Sequence, residues 1–547
     1  MKTLLSSLLC LLAALNLSRA QPASPNPDLS PREQQIIAAA KTAAAPQFNG
    51  ASVIGVRSHT PVIYALTVSG VRPLEFSAKK LPAGLTLDAQ TGIITGTLAA
   101  KGEFTFTAAA KNSAGKVSAK IKIICGDSLA LTPPLGWNSY DCFGDNVVEA
   151  EVLANARYLA EKMQPVGWDT VVVDYCWSDP GAHDNNRSAR ANAPLAMDNF
   201  GRMIPAPNRF PTAADGAGFK PLADAVHALG LKFGIHIMRG IPRNAVAANL
   251  PIEGSTFTAA DAANTNDKCA WCPDMFGVRG NAAGQAWLDS CARLWASWGV
   301  DYIKVDDLSR PYHTAEIEMI RKAIDQSGRG IVFSTSPGET PIVDGTHIAS
   351  HANLWRVSDD FWDNWKYLDH EFNLGGRWHV FVGPGHWPDA DMLPVGHLSV
   401  AHRSVGNDRF THFTRDEQLT HLTLWSLLPS PLMVGANLPD NDPWTLALLT
   451  NPEVLAVNQD ALGQPAQRLT NVLAGAEVWT KKLADKSLAV GIFNRGKTAL
   501  PVKLIWKDLG LRAKPAVRDV WVRKDLGKVE NFTAELPPHG CILLKAD

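Results

Sequence analysis

The 547-residue chain is too long for one ordinary domain, and its 46% hydrophobic and 19% charged content is typical of a soluble globular protein. Its formal net charge is −1 and it has no long basic run, which excludes nucleic acid and an anionic membrane surface as expected partners. Its 17 tryptophans are many for this length, and flat indole faces suit both a hydrophobic core and stacking on sugar rings.

The first twenty residues have the pattern of a secretory signal peptide. Lys2 gives a positive start, residues 4–17 are apolar, and Ser18 and Ala20 are the small residues that a signal peptidase recognises. We therefore expect residues 1–20 to be removed and the mature protein to be secreted or periplasmic. No later run is apolar enough to cross a bilayer.

The cysteine pattern gives one local expectation. Seven of the eight cysteines lie beyond the leader, an odd number that implies at least one free thiol or an intermolecular pair. Cys269 and Cys272 form a Cys-x-x-Cys pair, but no second Cys/His pair stands at a spacing suited to zinc. We expect a local disulfide bond or a simple structural pair there.

A linker and a short helix are predicted at residues 21–50. The first ten of these residues are rich in Pro, Ser and Asn, a composition typical of flexible linkers. Ser30 and Glu33 then have the spacing of a capping box, and the Ala-rich stretch that follows predicts a helix running to Ala44.

Residues 51–127 predict a β-sandwich domain. Segments such as 103–107 and 116–123 alternate in period two and are separated by turn signals. Segment 81–96 resembles the repeat signature of bacterial immunoglobulin-like domains found beside secreted enzymes. Such a module serves as a spacer or surface attachment, and sugar binding is the bolder alternative.

Residues 128–457 predict an α/β catalytic domain with the (β/α)8 TIM barrel fold. Apolar strand-like runs alternate with helix-like stretches, and eight strands over about three hundred residues suit this fold. Helices are predicted at 149–163 and 282–298, where apolar residues recur at three-and-four spacing. The predicted strands are 135–139, 170–174, 232–238, 302–306, 331–335, 353–358, 389–393 and about 424–433.

Residues 458–547 return to period-two alternation, in segments such as 477–482, 487–494 and 519–522. They predict a C-terminal antiparallel β-sandwich domain. In such architectures this domain is most often a lid-side or packing module.

Carboxylates follow four of the predicted barrel strands: Asp174, Asp306, Asp360 and Asp391. One acid at a strand end is more often a helix cap or an ion-pair partner than a catalyst. Four of them in one barrel converge on its mouth, where like charges raise each other's proton affinity. An ionised carboxylate, a protonated acid and aromatic walls are what glycoside hydrolysis requires.

The motifs at these strand ends resemble those of glycoside hydrolase family 27, which contains α-galactosidases and α-N-acetylgalactosaminidases. The resemblance extends from about residue 131 to the C-terminus and implies a retaining double displacement. Asp306 falls on the nucleophile and Asp360 on the acid/base, with the two carboxyl groups ~5–5.5 Å apart. The matching segments, in order, are 134–140, 173–177, 302–306, 355–360, 388–393 and 458–463.

The resemblance also implies which charged residues bind the sugar. Asp174 would hold sugar hydroxyls, and Asp391 is a further binding residue. Lys304 would donate to a ring hydroxyl and keep Asp306 ionised. Arg356 would bind a ring hydroxyl or clamp a neighbouring acid.

Aromatic residues of the motifs include two departures from the family pattern. Trp177 would form an apolar wall, and Tyr140 stands where the family usually has a tryptophan, so it would still stack on the sugar. Tyr175 replaces the second of two aspartates that grip the axial and C6 hydroxyls of galactose. This replacement removes a charged acceptor and adds bulk, which weakens the expectation of galactose.

Two further departures lie on the third and fifth strands. His236 stands where a tyrosine is usual and is followed by an unexpected Arg239. Ser336 lies in a turn that replaces a Cys-Glu-Trp type of sequence, and it would leave room beside the 2-hydroxyl, as in members that accept a 2-acetamido group.

The sequence therefore favours a secreted retaining α-galactosidase, with no cofactor and no metal. Near alternatives are the same mechanism on α-N-acetylgalactosamine, β-L-arabinopyranose or an α-glucan unit. A carbohydrate-binding protein on a decayed barrel is an alternative of another class, against which the intact Asp306 and Asp360 argue. A metal-dependent barrel hydrolase is a third, but no His-x-His or comparable ligand set supports it. The sequence does not predict the oligomeric state.

Overall fold

A closed barrel of eight parallel strands lies at the centre of the molecule. The computed structural model describes residues 28–182, 194–469 and 472–547, so the predicted signal peptide lies outside the described residues. The barrel strands are β1 Leu135–Asn138, β2 Thr170–Val173, β3 Lys232–Met238, β4 Tyr302–Asp306, β5 Val332–Thr335, β6 Leu354–Arg356, β7 Trp387–Asp389 and β8 Leu432–Val434.

The strands pair in chain order from β1 to β7, and β8 pairs with β1. Leu393, which follows β7, closes the ring: its N–H donates to the Met433 carbonyl at 2.7 Å, and its carbonyl accepts from the Gly435 N–H at 3.1 Å. The TIM barrel expected from the sequence is thereby confirmed.

The seventh and eighth strands differ from their predicted positions. β7 begins at Trp387 and ends at Asp389, because Asp391 adopts a φ of 79° that extended backbone does not allow. Leu424, expected in the eighth strand, belongs instead to helix Arg415–Leu427, which begins with a capping box between Thr414 and Glu417. This helix is buried on all sides over its last eleven residues, so it lacks the polar stripe that would have marked it in the sequence.

Helices surround the barrel and connect its strands. The predicted helix 282–298 is confirmed as Ala282–Trp298: the Asn281 side chain caps its first turn, and Gly299 ends it with a φ of 86°. The other helices of the region are Tyr140–Phe143, Glu149–Tyr158 (continued by a wider turn over Leu159–Met163), Lys220–Ala228, Arg243–Ala247, Ala259–Ala262, Thr314–Gln326, Gly345–His351, Trp365–Trp378, Arg415–Leu427, Pro443–Thr450 and Pro452–Asn458.

Two small sheets lie in the connections on the mouth side. A three-stranded sheet of Ile241–Pro242, Ala263–Lys268 and Met275–Val278 follows β3. A two-stranded antiparallel sheet of His397–Leu398 and Arg409–Phe410 follows β7.

The barrel interior contains a layer of buried apolar side chains from alternate strands. Val172 on β2, Tyr302 on β4, Leu354 on β6 and Met433 on β8 form one cluster with Met392, each no more than 7% exposed. Four side chains from alternate strands in one layer is the usual filling of such a barrel. This layer is a solid floor beneath the C-terminal ends of the strands.

The N-terminal module is built from two β-sheets around its own core. Its four-stranded sheet contains Val53–Val56, Glu75–Lys79, Gly102–Asn112 and Gly115–Cys125, and its three-stranded sheet contains Pro61–Ala65, Leu85–Leu87 and Ile93–Thr97. Gln47–Phe48 pairs with Val68–Ser69. Large buried side chains between the sheets are Phe76, Ile94, Phe106, Ile121 and Ile123.

This module packs against the N-terminal ends of the barrel strands. Asn49 Nδ2 donates to the Pro165 carbonyl at 2.8 Å, and Arg57 pairs with Asp325 at 2.5 Å. A shared cavity is lined by module residues and by the first residues of several barrel strands, including Leu135, Thr170, Lys232, Tyr302 and Val332. The module therefore lies at the opposite end of the barrel from the strand-end acids.

The short helix before this module spans Pro31–Ala39, so it ends before the expected Ala44. Its capping box is present: Ser30 Oγ accepts from the Glu33 N–H, and the Glu33 carboxylate accepts from the Ser30 N–H. Arg523 of the C-terminal region donates to the Ala39 carbonyl at 2.9 Å, which fixes the end of the helix.

The C-terminal region is antiparallel β-structure. The predicted strand 519–522 ends at Asp519, because its Oδ1 accepts from the Trp521 N–H at 3.1 Å and turns the chain. The Trp521 indole then donates to Thr423 Oγ1 at 2.9 Å and joins this region to the barrel. The strands are Gln467–Leu469, Glu477–Lys482, Leu488–Phe493, Ala516–Asp519, Lys524–Lys528 and Cys541–Ala546 in one sheet, with Leu500–Ile505 and Asn531–Leu536 as a second pair.

The last features of the fold are the state of the cysteines and the character of the helices. Across residues 28–182, 194–469 and 472–547, the cysteines form no disulfide bond. Cys269 and Cys272 are instead buried in an apolar cluster with Tyr175 and Met238, so the simple structural pair is the correct one of the two expectations. In the same ranges, no helix combines the length and apolar character that a membrane span requires.

Candidate active site

Asp174 follows β2 and is held by polar contacts on several sides. Its Oδ2 accepts from Asn138 Nδ2 at 2.7 Å and from Lys304 Nζ at 3.1 Å, and its Oδ1 accepts from the Tyr175 N–H at 2.8 Å. Burial opposes ionisation, but Lys304, His236 and Asn138 keep the pKa of Asp174 well below its ordinary value. Asp174 is thus ionised at neutral pH, the state in which a carboxylate accepts hydrogen bonds from hydroxyls.

Asp306 is the last residue of β4, and its carboxylate is fixed on both oxygens. Oδ1 accepts from the Asp307 N–H at 2.7 Å, and Oδ2 lies 3.1 Å from His236 Nε2. Lys304, the expected partner, makes its hydrogen bond to Asp174 instead. His236 stands beside Lys304 on the neighbouring strand and provides the direct contact to Asp306.

Lys304 is surrounded by acids from three strands. Burial lowers the pKa of Lys304, but the carboxylates of Asp174, Asp391 and Asp306 raise it above its ordinary value. Acids at or just after the ends of β2, β4 and β7 therefore face one ammonium group at the mouth of the barrel.

Arg356, at the end of β6, connects two further acids. Its Nη2 lies 2.6 Å from Asp391 Oδ2 and 3.3 Å from Asp360 Oδ1. Asp391 Oδ2 also accepts from the Phe361 N–H at 2.8 Å. Of the two roles expected for Arg356, the clamp on neighbouring acids is the one that its contacts fit.

Asp306 and Asp360 differ sharply in their exposure to solvent. The Asp306 side chain is 10% exposed, whereas the Asp360 side chain is 65% exposed. Asp306 thus lies at the bottom of the mouth and Asp360 at its rim.

Burial disfavours the charged form of several other carboxyl groups in and around the barrel. Burial raises the pKa of Asp389 to about 6, and the neighbouring Asp391 adds to this effect. Burial likewise raises the pKa of Asp141 and of Glu371 well above their ordinary values. Asp141 and Glu371 therefore hold a proton more tightly than an exposed carboxyl group does, whereas Asp389 is still mostly ionised at neutral pH.

Tyr175 forms the side of the mouth next to Asp174. Its ring packs edge-on against His236, with centroids 5.7 Å apart, and lies 6.1 Å from the ring of Trp271. Its Oη lies 3.1 Å from Cys272 Sγ, and the residue is 6% exposed. Through His236, this bulky side chain is one contact away from Asp306.

Trp177 does not form the expected apolar wall. Its indole packs against Phe219 at 5.1 Å and Trp298 at 6.3 Å, between the barrel and the surrounding helices. Its Nε1 donates to the His236 carbonyl at 2.6 Å, so it supports the site from behind. The prediction was wrong because the chain turns after Asp174 and directs residue 177 away from the mouth.

Two other predicted binding residues, Tyr140 and Ser336, lie just after the ends of β1 and β5. Tyr140 is half-buried and contacts both the apolar floor of the barrel and the cluster around Tyr175, a position compatible with stacking on a ligand. Ser336 is 1% exposed, and its Oγ has no hydrogen-bond partner among the described residues.

Arg239 holds three acids behind Asp306. The Arg239 guanidinium contacts Asp267 at 2.7 Å, Glu316 at 2.8 Å and Asp307 at 2.9 Å. The backbone N–H of Arg239 donates to the Asp306 carbonyl at 3.1 Å. This buried cluster connects β3, β4 and the strand Ala263–Lys268, and it keeps the backbone at Asp306 in place.

Three residues at the mouth have no role predicted from the sequence: Asn138, Asp141 and Trp271. Asn138 and Asp141 lie in or beside the motif 134–140, so their position after β1 was a usable signal. Trp271 comes from the loop between two strands of the small sheet, and no motif marked it.

Comparisons with known proteins agree with this arrangement. A family model described as alpha galactosidase A matches residues 275–460, the model of the alpha galactosidase C-terminal beta sandwich domain matches 474–546, and an Ig domain model matches 45–124. The structure of a family 27 β-L-arabinopyranosidase from Geobacillus stearothermophilus is 50% identical, with a TM-score of 0.73, and covers 76% of this chain and 97% of that chain. The chain belongs to glycoside hydrolase family 27.

Two proteins named α-galactosidases extend the comparison. The α-galactosidase of Cyamopsis tetragonoloba is 30% identical over 430 residues, which are 77% of this chain and 87% of that protein. α-Galactosidase 2 of Arabidopsis thaliana is 28% identical over 77% of this chain and 90% of that protein. This family 27 chain is therefore a glycoside hydrolase.

Proposed function

We propose that this enzyme is a retaining glycosidase that releases terminal β-L-arabinopyranose from oligo- or polysaccharides. This sugar has the ring hydroxyls of α-D-galactopyranose but carries hydrogen where galactose carries its C6 hydroxymethyl group. An enzyme for this sugar therefore needs the same hydrogen-bond acceptors for the ring hydroxyls as an α-galactosidase. It needs no space for the C6 hydroxymethyl group of galactose.

The tyrosine at position 175 is the main observation that supports arabinopyranose as the substrate. The family resemblance places there the second aspartate of the pair that grips the axial and C6 hydroxyls of galactose. In this chain a buried aromatic ring lies between His236 and Trp271, while Asp174 remains as the ionised acceptor. Support also comes from the Geobacillus stearothermophilus β-L-arabinopyranosidase, a variant of which was solved in complex with arabinose.

Asp306 and Asp360 are the catalytic pair in this proposal. Asp306 attacks the anomeric carbon while Asp360 protonates the leaving oxygen, and a covalent glycosyl-enzyme forms. Asp360 then accepts a proton from water, which hydrolyses that intermediate with net retention. The buried position of Asp306 suits a nucleophile, and the exposed position of Asp360 suits a group that meets both the leaving group and water.

An α-D-galactosidase is the second candidate. It is favoured by the retention of Asp174 and by the curated relatives that are named α-galactosidases. The α-N-acetylgalactosamine alternative has less support, because Ser336 is buried rather than open to the mouth.

Activity on two nitrophenyl glycosides tests the proposal. We expect kcat/KM on nitrophenyl β-L-arabinopyranoside to exceed that on the α-D-galactoside at least tenfold, since the C6 group meets Tyr175. Tyr175→Asp should shift this ratio toward the galactoside, whereas Tyr367→Asp, a change at an exposed tyrosine of helix Trp365–Trp378, should not. A wild-type preference for the galactoside would instead establish the second candidate.

The proposed enzyme acts outside the cytoplasm. This part of the proposal is supported by the leader pattern of residues 1–20. A mature protein that begins at Gln21 in the periplasm or medium would support it, and an uncleaved chain in the cytoplasm would contradict it.

A further inference from the structure

Two histidines and a glutamate meet on the outer side of the barrel. His347 and His351 lie one turn apart on helix Gly345–His351, which follows β5, and Glu318 lies on helix Thr314–Gln326, which follows β4. One ligand atom from each side chain lies within 4.8 Å of the other two. None of these residues takes part in the candidate active site.

The geometry of the three side chains fits a small cation. The two imidazole rings stack with centroids 4.3 Å apart and planes at 24°, because residues four apart share one face of a helix. Glu318 Oε1 lies 3.3 Å from His347 Nε2. A tetrahedral zinc ion with bonds of ~2.0 Å has edges of ~3.3 Å between its ligands, which is the same separation.

The remaining ring nitrogens have oxygen partners of the kind that metal-binding histidines use. His347 Nδ1 lies 2.6 Å from Tyr312 Oη, and His351 Nδ1 lies 2.8 Å from the His347 carbonyl. A metal-bound histidine usually donates its other ring N–H to such an oxygen, which fixes the tautomer and directs the second nitrogen at the metal. With both Nδ1 atoms engaged, Nε2 of each ring is the atom that is left to bind.

Solvent reaches this cluster without any change in the fold. The Glu318 side chain is 53% exposed and that of His347 is 23% exposed. Two imidazoles with one carboxylate suit Zn²⁺ or a similar transition metal ion, whereas Mg²⁺ and Ca²⁺ prefer oxygen ligands.

We propose that Glu318, His347 and His351 bind one Zn²⁺-class divalent cation, with water as the fourth ligand. The ion joins the helices that follow β4 and β5. Tyr312, in the segment between Asp306 and helix Thr314–Gln326, connects it to the loop beside the mouth. Its role is structural and separate from the proposed hydrolysis.

Calorimetric titration of the tag-free full chain with Zn²⁺, after removal of metals by a chelator, tests this site. We expect one ion per chain in the wild type and at least a tenfold loss of affinity in His351→Ala. His370→Ala removes an exposed histidine from another helix and should leave the affinity unchanged. Glu318→Gln, an exposed and nearly isosteric change, gives a second variant that keeps the fold and should also weaken binding.

Co²⁺ absorption separates this site from the cysteines of the Cys-x-x-Cys pair. We expect tetrahedral d–d bands without thiolate-to-metal charge transfer, and we expect His351→Ala to abolish them. Equal Zn²⁺ affinity in the wild type, His351→Ala and Glu318→Gln, or a thiolate band in the wild type, would overturn the proposal.

Discussion

The contrast between Asp306 and Asp360 organises the site at the scale of single residues. The sequence predicted that both carboxylates lie at the mouth, because the C-terminal ends of the strands of a barrel all meet there. It did not predict that His236 rather than Lys304 would contact Asp306. Partner choice depends on side-chain directions across neighbouring strands, which spacing along one strand does not contain.

Substitution of the two carboxylates should produce different kinetic losses. We expect Asp306→Gly to lower kcat by about 10⁴-fold or more, and azide or formate to restore part of the rate by occupying the space of the missing nucleophile. Asp360→Ala should slow glycosides with poor leaving groups far more than nitrophenyl glycosides, because only the former need protonation. Steady-state kinetics on both substrate types measures this difference.

Asp359→Ala is the matched control for that experiment. Asp359 is an equally exposed neighbour that pairs with Arg310, and its loss should leave kcat on nitrophenyl glycosides within about threefold. A wild-type rate in Asp306→Gly would contradict the assignment of the nucleophile.

At the scale of elements, the connections around the mouth are fixed by buried polar contacts. Arg239 holds the small sheet after β3, and His397 holds the small sheet after β7 by contacting Asp440 at 2.6 Å and Asp408 at 2.7 Å. The sequence located the first six barrel strands well because their apolar runs are continuous, but it misplaced the seventh and eighth. It gave no prediction for the two small sheets, since these depend on contacts of single polar residues from distant segments.

The His397 contacts predict a pH-dependent stability. Burial opposes protonation, but Asp440 and Asp408 raise the pKa of His397 above its ordinary value. A raised folded-state pKa gives stability that is complete below the unfolded-state pKa, ~6.5, and is lost as pH rises through the folded-state pKa. The free energy of unfolding in urea should therefore fall more between pH 6 and pH 9 in the wild type than in His397→Gln.

The wild type and His397→Gln differ in one titratable group only. The difference between their pH dependences is therefore the contribution of His397. His402, which accepts from the Asp408 N–H at 3.2 Å, is retained in each. The same pH dependence in the wild type and in His397→Gln would show that this histidine does not contribute.

At the scale of the whole molecule, the N-terminal module and the mouth lie at opposite ends of the barrel. Ile93 and Ala65 of the module pack so closely on Gly230 that a methyl group added there would lie 2.9 Å from Ile93. Removal of residues 21–127 would expose this apolar surface but leave every residue of the candidate site in place.

We expect this truncation to lower the thermal midpoint by several degrees while kcat/KM on nitrophenyl glycosides stays within about threefold. Thermal denaturation and steady-state kinetics on the full and shortened chains measure both quantities. A large loss of kcat/KM with an unchanged midpoint would contradict this division of roles.

Clusters of side chains from different elements are not predictable from motifs in the sequence. His347 and His351 have helical spacing, but Glu318 lies on another helix, so no motif of fixed length joins them. Trp177 belongs to a recognised motif, yet its side chain points into the helical layer. Motif and period predict which residues share an element, and packing decides which residues from different elements meet.

The placement of the module has one practical consequence for large substrates. When a solid support, such as a cell envelope or an insoluble polymer, holds the chain through its first β domain, the opening of the barrel points outward into the surrounding fluid. Branched chains can then approach without steric hindrance from the anchorage, and immobilisation through this end should preserve turnover better than immobilisation near the rim.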